Sequence, residues 1–247
     1  MMNIALFSNP PPILFVAIIL VIATACSTSS IHHRVEKQDW ANLERYRLAN
    51  SELRMSDQTD ERVVFMGNSI TEFWSHYNPN FFADNNFINR GISAQTTPQM
   101  LVRFRSDAID LAPEIVVISA GTNDIAGNTG PTSIETIMGN IKSMAEIARS
   151  NQIKVIISSV LPAIDFPWSP GLDPSGKILS LNQLIEEYCT GNGFVFLNYY
   201  SSMVDEKGGL KVPEFTSSDD LVHPNEKGYK VMEELALPVI NDLRKAK

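Results

Sequence analysis

Five short apolar runs, separated by stretches of helical periodicity, limit what this chain can fold into. They lie at about Val63 to Met66, Phe87 to Asn89, Ile115 to Ala120, Val155 to Val160 and Phe194 to Leu197. Three helix starts can be read between them. Thr97-Pro98 precedes Leu101, Phe104, Ala108 and Leu111; Thr132 with Glu135 fits a capping box before Ile137, Ile141, Met144 and Ala148; and Asp173-Pro174 precedes Ile178, Leu181, Leu184 and Ile185. A last helix is expected from about Pro224, presenting Met232, Leu235, Val239 and Leu243, with a kink at Pro238. Such alternation calls for a parallel sheet covered on both sides. The expectation is therefore an α/β fold: a three-layer α/β/α sandwich whose five-stranded parallel sheet has flavodoxin-like order, with any ligand site at the carboxyl edge.

The first of these strands also delivers the most reactive-looking side chain. It stops at Gly67 and turns through Asn68-Ser69-Ile70-Thr71 into the helix-compatible Glu72, Phe73 and Trp74, which would hold the Ser69 hydroxyl at the sheet edge beside a helix N-terminus. A serine nucleophile needs a base. The chain has four histidines, of which His32, His33 and His76 read as solvated, whereas His223 follows Asp220 by three residues and precedes Pro224. An imidazole can take the hydroxyl proton while a carboxylate on its other nitrogen fixes the tautomer. Gly91, and Asn123 within Gly121-Thr122-Asn123-Asp124, also end strand-like runs. A glycine amide and an asparagine side chain are neutral donors suited to a developing oxyanion.

Gly67-Asn68-Ser69, Gly91, Gly121-Thr122-Asn123-Asp124 and Asp220-Leu221-Val222-His223 occur in that order. From about Arg62 to the C-terminus the chain resembles the SGNH (GDSL-type) hydrolases. The resemblance implies Ser69 as nucleophile, His223 as general base and acid, and Asp220 as its orienting carboxylate. It implies an oxyanion hole from the Ser69 and Gly91 backbone amides with the Asn123 side chain. Asn68 stands where many members carry aspartate, and an asparagine can still hold the turn by hydrogen bonds. The α/β-hydrolase alternative is disfavoured, because Thr71 occupies the last position of what would be a Gly-x-Ser-x-Gly elbow.

The resulting expectation is a serine esterase that cleaves carboxylic esters through an acyl-enzyme, with O-acetyl groups on glycans among its candidate substrates. A lysophospholipase or thioesterase acting on lipids, a carbohydrate-binding lipoprotein without catalysis, and a metal-dependent phosphoesterase using Asp124, Asp220 and His223 are the alternatives. The leading reading needs no metal and no organic cofactor. Trp74, and Phe166 with Trp168 on the proline-stiffened loop 162–174, are substrate-pocket candidates; covering the core is the other use of these rings.

Composition and the N-terminus set the remaining expectations. With 247 residues and 44% hydrophobic content the chain can build one sizeable core. A net charge of -8 argues against a nucleic-acid partner. Residues 1–26 read as an export segment: the apolar run Ile13 to Ile22 closes in Ala23-Thr24-Ala25-Cys26, like a bacterial lipoprotein processing site with Cys26 as the lipidated residue. An ordinary cleaved signal and an uncleaved anchor are the other readings, and all three imply export, to the periplasm or to the outer membrane and cell surface. Residues 27–61 would be a tether followed by an amphipathic helix at about Asp39 to Leu53, and 62–247 the catalytic domain. Cys189, the only other cysteine, falls on an apolar helical face and reads as a buried thiol.

Overall fold

A computed structural model describes residues 39–56 and 61–245. Cys26 and the apolar run before it lie outside the described residues, and everything below concerns the unit Ala41–Lys247. Five strands form one sheet: β1 Val63–Gly67, β2 Phe87–Gly91, β3 Ile115–Ile118, β4 Lys154–Ser158 and β5 Val195–Leu197, in the order β2-β1-β3-β4-β5. Every pairing is parallel. This is the expected flavodoxin-like order, and β1 and β3 are buried at every position, as their runs without a polar side chain require.

The helices are α1 Arg47–Met55, α2 Ser69–Tyr77, α3 Pro79–Ala83, α4 Thr97–Asp107, α5 Thr122–Ile125, α6 Ile134–Ser150, α7 Ser175–Asn192, α8 Tyr200–Met203 and α9 Glu226–Lys245. The helices α4, α6 and α7 pack side by side over one face of the sheet, and α2 meets α9 over the other. Two local expectations shift. The cap of α6 is Ser133, whose Oγ accepts from Thr136 N at 3.2 Å, rather than Thr132. The segment before Arg47 forms turns, so the first helix is shorter than its amphipathic pattern suggested. Helix α9 runs on through Pro238 to Lys245.

Parallel register fixes where chemistry can gather. Gly67 lies opposite Gly91, and Met66 opposite Ile118, so the segments leaving β1, β2 and β3 emerge together at the carboxyl edge. Gly67 is required there: a Cβ would sit 2.0 Å from Thr71 Oγ1 and 2.7 Å from Thr71 Cβ. Trp74 is not at that edge. It is 2% exposed, stacks on Phe81 at 5.0 Å, and donates from Nε1 to Glu233 Oε1 at 3.1 Å, so it belongs to the core. Among the described residues no helix is long and apolar enough to cross a membrane.

Candidate active site

Ser69 opens α2. Its predecessor Asn68 caps the helix, with Oδ1 accepting from Ile70 N at 3.0 Å. An asparagine at this position therefore still holds the turn. The loop before α9 brings His223 from 154 residues away: Ser69 Oγ lies 2.8 Å from His223 Nε2. On the other side of the ring, Nδ1 lies 2.8 and 3.0 Å from the two oxygens of Asp220. Asp220 also accepts from the backbone N–H groups of Val222, at 3.1 Å, and His223, at 2.8 Å, with Leu221 in the left-handed region at φ 64°. This local turn makes Asp-x-x-His a unit: the carboxylate is fixed by the backbone that carries the imidazole. The Phe73 ring, on α2, packs against that imidazole, with ring centres 5.1 Å apart.

The backbone and side-chain donors expected around Ser69 are only partly where the sequence put them. Asn123, on the short helix α5, is buried and lines the cavity in front of Ser69. One hydrogen of its amide goes to Gln95 O at 3.0 Å, leaving the other for a ligand. Gly91 does not serve this purpose. Its N–H donates to Asn89 Oδ1 at 2.8 Å, and it is glycine because α2 crosses it, a Cβ falling 2.2 Å from Glu72 N. The residue at the cavity wall is Ala94, held at φ 63°, and its N–H meets no acceptor among the described residues. A non-glycine residue in that conformation is costly by roughly 1–2 kcal/mol and is typical of functional turns. Nothing in the composition of Ser93-Ala94-Gln95 signalled it.

Behind these turns lies a buried polar wall. Arg103 Nη2 donates to Gly67 O at 2.9 Å, Nη1 to Asp107 Oδ2 at 3.0 Å, and Nε to Gln95 Oε1 at 2.5 Å. Burial pulls this guanidinium below its usual range, and Asp107 opposes the shift. Gln95 in turn donates to Ala41 O at 2.7 Å, while Asn50 of α1 donates to Asp107 Oδ1 at 2.7 Å and accepts from Arg90 Nε at 2.9 Å. The N-terminal helix is thus built into the back of the site. Asp124 pins the other end of the wall by accepting from Thr97 N at 3.0 Å and from Thr97 Oγ1 at 2.6 Å. Burial raises its pKa, partly offset by those bonds.

Of the pocket candidates, only Trp168 reaches the cleft. Phe166 is fully buried beneath it, with ring centres 5.3 Å apart. The cavity before Ser69 has a volume of about 230 Å³ and is bounded by Phe73, Ala94, Asn123, Asn128, Trp168 and His223. Among the described residues no three His, Cys, Asp or Glu side chains cluster as metal ligands. Cys189 is buried, and burial, with a contribution from Glu186, pushes its thiol up to about 12. Buried and protonated, it is chemically quiet.

Comparison with known proteins bears on the family and the fold. Residues 65–231 match the model of the GDSL-like lipase/acylhydrolase family. A crystal structure from Bacteroides fragilis, of a protein whose name proposes an acylhydrolase, is 49% identical, covers 84% of this chain and 99% of its own, and superposes with a TM-score of 0.80. A GDSL-like lipase of Bacteroides thetaiotaomicron is 48% identical over 82% of this chain and 98% of that one, with a TM-score of 0.78. The uncharacterized lipoprotein YqeF of Bacillus subtilis is 33% identical over 81 residues, 32% of this chain. The chain spans about a third of that relative's length, 33%.

Proposed function

The chain belongs to the GDSL-like lipase/acylhydrolase family, whose members are ester-hydrolysing serine enzymes, and from that membership we propose that it is an esterase with Ser69 as its nucleophile. The observation that carries the reading is the unbroken line from Ser69 Oγ through both nitrogens of His223 to Asp220. His223 Nε2 takes the hydroxyl proton as Oγ bonds to the ester carbonyl carbon. The carbonyl oxygen becomes an oxyanion facing Asn123 Nδ2, with the Ser69 and Ala94 N–H groups as backbone donors. Collapse breaks the bond to the alcohol, whose oxygen takes the proton from Nε2. Water then repeats the cycle on the acyl-enzyme with His223 as base, releasing the acid and Ser69. Asp220 keeps the imidazole in the required tautomer and stabilises its cation.

On the acyl side, Phe73 and Trp168 wall a cavity of about 230 Å³ in front of Ser69, and we take a short acyl group, acetyl above all, with O-acetylated glycans as the substrate class, as the reading to test. Export as a lipoprotein through Cys26 fits an enzyme that meets such polymers outside the cytoplasm. The likeness to a Bacillus subtilis lipoprotein supports that location. A rate series on activated esters from acetyl to dodecanoyl tests the reading: kcat/KM should fall steeply beyond butyryl, whereas a rise toward long chains would point to lipid substrates instead.

A further inference from the structure

We infer that the Trp168 indole divides the cleft into an acyl side and an alcohol side, and that the alcohol side binds a neutral, polyhydroxylated ring; the inference rests on Ser69 being the nucleophile. Trp168 is 45% exposed, yet it is firmly held. Its ring lies on the buried Phe166, and its Nε1 donates to Asn128 Oδ1 at 3.0 Å. Asn128 in turn donates to Ala94 O at 3.2 Å, tying the indole to the turn that faces the oxyanion. A large aromatic surface fixed in place and left open to solvent is the usual anatomy of a ligand platform.

Two cavities meet at this ring. The first holds Ser69 and Asn123; the second, of about 370 Å³, is bounded by Trp168, Ser217, Asp219, Asp220 and His223. Both touch His223, but the second touches neither Ser69 nor Asn123. In the tetrahedral intermediate the carbonyl carbon is bonded to Ser69 Oγ and its oxygen faces Asn123; with the leaving oxygen turned toward His223, the acyl group is left to the first cavity. The leaving oxygen takes its proton from His223, and the alcohol attached to it extends past the imidazole. The second cavity is the space available there.

Its lining defines the alcohol. The Asp219 and Asp220 carboxylates and the Ser217 hydroxyl accept hydrogen bonds, and an open indole face suits the C–H face of a ring. No lysine or arginine lines it. An alcohol bearing phosphate or carboxylate would meet two like charges, with Asp220 offset only while His223 is protonated, and like charges at close range are a strong discriminator. The site therefore selects sugar hydroxyls over anionic head groups.

The test is a kinetic comparison at low ionic strength between the O-acetyl ester of a neutral methyl glycoside and that of the corresponding uronic acid. The wild-type enzyme should favour the neutral ester by about tenfold or more in kcat/KM. Asp219→Lys should bring that ratio to about one or invert it, Asp219→Asn should give an intermediate value, and Trp168→Ala should raise KM for the neutral sugar ester more than it lowers kcat. A wild-type ratio near one, or a ratio untouched by Asp219→Lys, would overturn the assignment. Titrating the same preparations with a fluorophosphonate separates the two levels. Stoichiometric labelling of Ser69 without discrimination rejects the alcohol site alone, and absence of labelling rejects the nucleophile on which it rests.

Discussion

Two carboxylates, each paired with a nitrogen base three or four residues away in sequence, are used in opposite ways. His223 and Asp220 sit at the rim, with side chains 19% and 38% exposed, while Arg103 and Asp107 lie in the back wall at 0% and 1%. At the rim the partner of the carboxylate can change its protonation and exchange with solvent, which is what proton transfer needs. In the wall the charge is permanent, and its work is directional: one guanidinium orients Gly67 O beneath the nucleophile turn and Gln95 beside Asn123. Polar chemistry at the front depends on fixed polar geometry at the back.

Separate substitutions should pull the two pairs apart. The largest effect belongs to the front: Ser69→Ala should lower kcat on p-nitrophenyl acetate by ~10^4 or more with an unchanged melting temperature. Asp107→Ala should do the reverse in kind, leaving Arg103 buried without its carboxylate and reducing stability by about 3–5 kcal/mol, read by urea denaturation. Equal stability would show that the wall is not a structural charge pair. Asn123→Ala stands between the two regions, and should cost about 3 kcal/mol of transition-state stabilisation, seen as a fall in kcat with little change in KM. The smallest effect is expected at Ala94. Ala94→Gly should relieve the left-handed strain and stabilise the fold by about 1 kcal/mol, while activity, which uses only the backbone N–H, changes by a few fold at most.

The same division explains what could be read without coordinates. Strand runs such as Ile115 to Ile118 carry their burial in their composition, so the sheet and its order were legible. Asp220 and His223 were legible because both partners belong to one turn, and Ser69 because a glycine-terminated strand precedes it. The wall was not. Arg103 lies between Val102 and Phe104 in an ordinary helical pattern, where an arginine is usually solvated; its burial depends on Gly67, 36 residues away, and on Gln95, which is itself held by Ala41. Gly91 misled for a related reason: glycine marks a close approach of backbone, and here what approaches is α2 rather than a substrate oxygen. Phe166 and Trp168 differ by two positions on an irregular loop, and sequence carries no signal for which ring turns inward. Trp74 met the more common fate of a tryptophan beside a core strand.

The assignment of Ser69 as the reactive hydroxyl is tested most directly by covalent labelling with a fluorophosphonate followed by peptide mapping of the folded protein. One adduct per chain is expected, on the peptide containing Ser69, absent after Ser69→Ala and strongly slowed by His223→Ala. A stoichiometric adduct on any other residue, or none on a protein that still hydrolyses activated esters, would contradict it.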